Sequence, residues 1–199
     1  MPLELVGFVL FAGSMIGTPG PANMVVMASG ARFGFRASLP FLAGVILGKQ
    51  FIIWPIGVGL LAVLSPDGVA FQVLRWASIA YILWLAWKIA GVRIVAADTG
   101  AVPPRFVEGL IVHPLNPKAW AMVLGALTNF TDPGAPALLV TAAAALVFLL
   151  LQIVLQSLWT RAGVEIARLL AGRAAEAWLM RGLAVLMVGS VCYVLFAGA

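Results

Sequence analysis

The feature that most constrains this chain is a series of apolar runs, each about as long as a bilayer is thick. They extend from about Leu3 to Ala31, Leu39 to Leu64, Val69 to Ile89, Phe106 to Phe130, Pro136 to Trp159 and Gly182 to Phe196. Roughly 20 helical residues cross the hydrocarbon core. The sixth run is short unless it begins near Trp178. All are continuously apolar rather than alternating, which argues against a β-barrel. Composition agrees: 63% of residues are hydrophobic and 10% charged, against about a quarter charged in soluble domains. The expected fold is an all-α integral membrane protein with six transmembrane helices, forming one domain over residues 1–199.

Two of the runs are interrupted where a spanning helix should have its middle. The first interruption is Ile16-Gly17-Thr18-Pro19-Gly20-Pro21-Ala22-Asn23, and the second is His113-Pro114-Leu115-Asn116-Pro117-Lys118-Ala119-Trp120. Proline removes a backbone donor and clashes with the preceding turn, so helices 1 and 4 must break or kink there. In hydrocarbon the freed carbonyls need other partners. Such breaks are costly unless they line something, although proline kinks that only shape packing are the plainer alternative. Broken helices at matching places in two halves point to a transporter with inverted repeats. Half-helix N-termini attract anionic groups and unwound carbonyls attract cations. An amino acid carries both charges. Thr18, Asn23 and Asn116 are expected to add neutral hydrogen-bonding groups there.

The loops after runs 1, 3 and 5 carry Arg32 and Arg36; Lys88, Arg93 and Arg105; and Arg161, Arg168, Arg173 and Arg181, whereas the opposite side carries Arg75. Basic loops stay inside, so both termini are expected outside. The net charge of +5 is thus an orientation signal, and no nucleic-acid partner is expected. Three spans per half is an odd number, which inverts the second half relative to the first. The first repeat is placed at about 1–92, a polar linker at about 93–105, and the second repeat at about 106–199. Arg161–Arg181 mixes charges with Ile166, Leu169 and Leu170, and reads as an amphipathic helix at the interface. The first run is expected to remain as a span rather than serve as a removed signal. Cys192, the single cysteine, is expected to be a small packing residue.

Lys49 falls mid-span, where charge is expensive and usually faces a cavity. It is a candidate to bind a carboxylate or to change protonation during transport, with snorkelling as the alternative. Lys118 lies in the second break and has a shorter reach to the interface. His113, the single histidine, is a candidate proton relay or cap. Gln152 and Gln156 sit one turn apart on one face and read mainly as helix-to-helix hydrogen bonders. Tyr81 is a candidate pathway residue amid the tryptophans of run 3, which read as lipid-facing or interfacial. No His, Cys or carboxylate cluster suits a metal, and no Gly-rich phosphate loop suits ATP. No cofactor is expected, so active transport would use an ion gradient. An intramembrane enzyme would rest on a lone His113.

These residues resemble the LysE/RhtB family of amino-acid exporters. The resemblance is carried by Thr18-Pro19-Gly20-Pro21 with Asn23, by Ala28-Ser29-Gly30-Ala31-Arg32-Phe33-Gly34-Phe35-Arg36, by Arg75-Trp76-Ala77-Ser78-Ile79-Ala80-Tyr81, and by Asn116-Pro117-Lys118-Ala119. It covers essentially the whole chain. It implies export of amino acids or small metabolites across the bacterial inner membrane, driven by proton exchange, by two inverted three-helix halves. It also implies that Pro19, Gly20, Pro21, Asn23, Asn116, Pro117 and Lys118 are central. Lys49 departs from the family pattern and, facing a pathway, would disfavour purely cationic substrates. The expected partners are a small-molecule substrate and the lipid bilayer, and a homodimer is allowed. The alternative is a non-transporting membrane scaffold or assembly subunit, which has no need of two unwound polar sites at one depth. A channel is a weaker third reading.

Overall fold

A computed structural model describes residues 3–59, 69–91, 102–132, 134–170 and 173–197. The turn expected at 65–68 and most of the expected 93–105 linker lie outside them. Among the described residues the regular elements are all helices, joined by turns and extended segments, with one isolated bridge between Leu3 and Thr131. The helices are α1 (Leu5–Gly17), α2 (Pro21–Gly48), α3 (Gln50–Gly57), α4 (Val69–Ala90), α5 (Phe106–Leu110), α6 (Pro117–Asn129), α7 (Ala137–Leu170) and α8 (Ala174–Ala197).

By length and composition, the continuous stretches Pro21–Gly57 and Ala137–Leu170 can each cross a membrane. The first of these is not one straight helix. Gly34 has φ +80° and ψ 168°, a conformation open to glycine and strained for other residues. Ser29 Oγ and Ser38 Oγ lie 2.8 Å apart across it. Nine residues of straight helix would separate them by about 13 Å along the axis, so the chain folds back at Gly34. The result is two arms, 21–33 and 35–48, with Arg32 and Arg36 at the tip. Ser38 Oγ also donates to Gly34 O at 2.8 Å, bracing the reversal.

Each break starts its following helix in the same way. Pro21 and Pro117 occupy the first turns of α2 and α6, where the missing N–H would lack a helical partner anyway. Gly20 precedes α2 in extended conformation, and Asn116 caps α6 by accepting from Lys118 N at 3.1 Å. The helix ahead of the second break is shorter than the sequence suggests: α5 has five residues and is followed by turns through Leu115.

α1 and α6 run antiparallel. Glu4 N donates to Phe130 O at one end, and Thr18 meets Lys118 at the other. α7 carries Gln152, Gln156, Thr160 and Gly163 on its buried face and Leu146, Leu150, Val154 and Leu158 on its exposed face. Polar in and apolar out is the pattern a lipid-facing helix requires. Gly30 and Gly163 let α2 and α7 interlock: a Cβ on either would strike the partner's backbone, Thr160 O and Met27 O respectively. Trp76 and Trp87 of α4 are exposed, in line with the lipid-facing expectation.

Two expectations need correction. Arg161–Arg181 is not a separate interfacial helix. Its first part is the last turns of α7, where Glu165 pairs with Arg161 at 2.8 Å and with Arg168 at 3.0 Å, and α8 begins at Ala174. The local i,i+3 and i,i+4 pairs keep α7 helical past its apolar stretch. Cys192 is exposed rather than packed.

Buried apolar residues form two clusters. One joins α2, α4 and α8 through Met24, Val45, Ile82, Met180 and Met187. The other joins α1, α3, α6 and α7 through Phe8, Ile52, Ile53, Val123 and Phe148. Phe8 and Phe148 meet edge to face at 5.2 Å.

Candidate site where the two helix breaks meet

The carbonyl end of α1 faces the start of α6. Lys118 Nζ crosses between them and donates to Thr18 Oγ1 at 2.8 Å, Pro19 O at 3.0 Å and Thr18 O at 3.1 Å. A cation suits the negative end of a half-helix, and three acceptors use all three ammonium donors. One break thus supplies the partner for carbonyls that the other break frees. Gly20 leaves room for this side chain, since a Cβ there would sit 3.0 Å from Lys118 Cδ and Nζ.

Asn23 holds the first break from the other side. Its Nδ2 donates to Ile16 O at 2.7 Å and to Thr18 O at 2.8 Å. Its Oδ1 accepts from Gln156 Nε2 at 2.9 Å. Gln152 Nε2 lies 3.0 Å from His113 Nε2. With the Gln152 amide placed this way its nitrogen donates, so the histidine nitrogen accepts and the ring proton is assigned to Nδ1. Among the described residues, His113 Nδ1, Gln152 Oε1 and Gln156 Oε1 are buried with no hydrogen-bond partner.

Lys49 is fully buried beside them. Its Nζ lies 3.4 Å from Met122 Sδ and 4.9 Å from the centroid of the Phe148 ring. Lys49, Asn23, His113, Asn116, Lys118, Gln152 and Gln156 all line one small cavity of about 20 Å³, room for about one water.

A second cavity of about 650 Å³ lies one turn further along the 21–33 arm, beginning at Val25 and Ala28 and reaching Arg32, Lys88, Arg105 and Glu108. Tyr81 lines this larger space, stacked near Trp84 at 5.8 Å, and is not among the residues at the breaks. The structure therefore joins Thr18, Gly20, Asn23, Lys49, Asn116 and Lys118 in one place, with Pro21 and Pro117 setting the helix starts. Gln152 and Gln156 do bond to other elements, as expected, yet each keeps a spare acceptor. Met122 and Phe148, the immediate neighbours of Lys49, carry no signal of their own in the sequence. Among the described residues no group of His, Cys, Asp and Glu could hold a metal ion.

A family model for LysE-type translocators matches residues 13–198. The chain belongs to the LysE-type translocator family. The family is one of translocators, and the helices of the described residues are consistent with that membership. The chain is 37% identical over 124 residues to cysteine/O-acetylserine efflux proteins of Escherichia coli (strain K12) and Shigella flexneri. It is 36% identical to the protein of that description from Escherichia coli O1:K1 / APEC. Each match covers 61% of this chain, and the chain spans 62% of the length of these relatives. No solved structure matches.

Proposed function

We propose that this LysE-type translocator is a secondary exporter of amino acids or related small metabolites across the bacterial inner membrane, coupled to proton entry. The observation that carries this reading is the meeting of two broken helices at a buried cavity with unpartnered polar atoms. Unsatisfied buried polar groups are expensive, and a scaffold gains nothing from them. The named activity of the relatives supports the same reading. Lys49, His113 and Lys118 supply titratable groups at the cavity, as proton coupling requires.

In this reading the chain makes six crossings as two inverted three-helix repeats, and both termini are outside. The matching starts of α2 and α6, each with proline in the first turn after a break, support the repeat. The large basic cavity then opens to the cytoplasm, because basic residues stay inside. The break cavity is too small for an amino acid in this state. Substrate therefore enters only when the breaks part, and the Lys118 bridge is the contact that has to give.

The test is an export assay. Cells are loaded with mixed dipeptides, peptidases release the amino acids inside, and their appearance in the medium is followed. Expression of the protein is expected to speed the appearance of cysteine and other small neutral amino acids, but not of lysine or arginine. No acceleration for any amino acid would move the reading to another metabolite or to the scaffold alternative.

A further inference from the structure

Lys49 has no ion-pair partner among the described residues, whose pairs are Arg105–Glu108, Arg161–Glu165 and Arg168–Glu165. A thioether is a weak acceptor, and an aromatic face gives a modest attraction. Neither replaces the hydration an ammonium loses in a fully buried place. The same cavity holds a second group without a partner among the described residues, His113 Nδ1, a donor in the tautomer assigned above. It also holds two acceptors without partners, Gln152 Oε1 and Gln156 Oε1. With their amide nitrogens on His113 and Asn23, both oxygens are left over as acceptors. A lysine amine with a neutral donor, set against two neutral acceptors, is the complement of a carboxylate and an ammonium on one small molecule.

We propose that Lys49 and His113 bind the substrate carboxylate, that Gln152 and Gln156 bind its ammonium, and that the substrates are neutral zwitterionic amino acids. This rests on the transporter reading above and names its substrate class. A side chain with a second cation is excluded because the cavity already holds an unpaired Lys49 and lies beside Lys118.

The test measures binding to the purified full chain in lipid nanodiscs, under reducing conditions, with three probes. They are L-cysteine, cysteamine, which lacks the carboxylate, and 3-mercaptopropionate, which lacks the ammonium. Wild-type protein is expected to bind cysteine at least about tenfold more tightly than either fragment, since each charged hydrogen bond lost costs about that factor or more. Lys49→Met is expected to weaken cysteine binding by about 10- to 100-fold while changing cysteamine by less than about threefold. Lys49→Gln, a second variant that keeps a polar group, is expected to show the same selective loss.

Removal of an unpaired buried cation is not expected to lower the melting temperature, which serves as the folding control. The proposal is overturned by an unchanged cysteine-to-cysteamine ratio in both variants, or by a wild-type protein that binds the three probes alike or not at all. Flux in proteoliposomes separates the two readings. Lys49-dependent binding without flux overturns the exporter and leaves this site, whereas cysteine flux with an unchanged ratio overturns the site and leaves the exporter.

Discussion

Asn23→Ala is expected to remove most of the folded protein from the membrane. The amide joins three elements: the end of α1 through Ile16 O and Thr18 O, the start of α2 on which it sits, and α7 through Gln156. Alanine leaves Ile16 O and Gln156 Nε2 without the partners seen here, whereas Thr18 O keeps Lys118. Polar bonds between membrane helices average only about 0.6 kcal/mol when both partners can find others. A carbonyl fixed in a break has no such freedom, and an unsatisfied buried group costs about 1–3 kcal/mol. Two such groups give a loss of about 2–6 kcal/mol, a large share of the stability of a small domain. Asn23→Asp is expected to be worse, because a carboxylate would face two carbonyl oxygens. Melting in detergent and the yield of monodisperse protein check both variants. An Asn23→Ala protein that melts like the parent but no longer binds substrate would assign the amide to substrate contact instead.

Lys118→Met is expected to separate transport from stability. Methionine keeps the stem but loses all three donors to Thr18 and Pro19. Thr18 and Pro19 are exposed, so water can take over their acceptors and the stability cost is about 1 kcal/mol. The contact between the breaks is lost outright, however. A contact present in one conformation of a transporter biases the balance between conformations by its own free energy. Transport is expected to fall by about tenfold or more, with folded protein reduced by less than about half. The check is initial export rate at matched membrane level. A proportional fall in both quantities would make the bridge a purely structural staple.

Much of this arrangement is legible in the sequence because it rests on backbone chemistry. Proline placement gives both breaks, and Gly34 between Arg32 and Arg36 falls where charge asymmetry demands a loop. The unwound segments also announce Thr18, Asn23 and Asn116 as polar groups at one depth. What those groups do is less legible. Asn23 and Asn116 satisfy their own backbone to a large extent, which spacing cannot reveal, since a cap and a substrate ligand are the same residue types. Lys118 bonding to Thr18 is a contact across a hundred residues, and only the antiparallel packing of α1 on α6 creates it. Gln152 and Gln156 stand out as polar residues in a long apolar helix. That each spends its nitrogen and keeps its oxygen depends on His113 and Asn23 arriving from other elements. Arg161–Leu170 misleads for a plain reason: charges at helical spacing read as an interfacial helix, and they equally well extend a spanning helix beyond the bilayer.

The most direct measurement of the central claim is paired substrate and proton flux in proteoliposomes. Vesicles containing the wild-type protein are loaded with labelled L-cysteine and an internal pH dye, then diluted into substrate-free buffer. Cysteine is expected to leave faster than from protein-free vesicles, with the interior acidifying as it leaves. Efflux without acidification would contradict proton antiport and favour a channel, and efflux no faster than from empty vesicles would contradict the exporter itself.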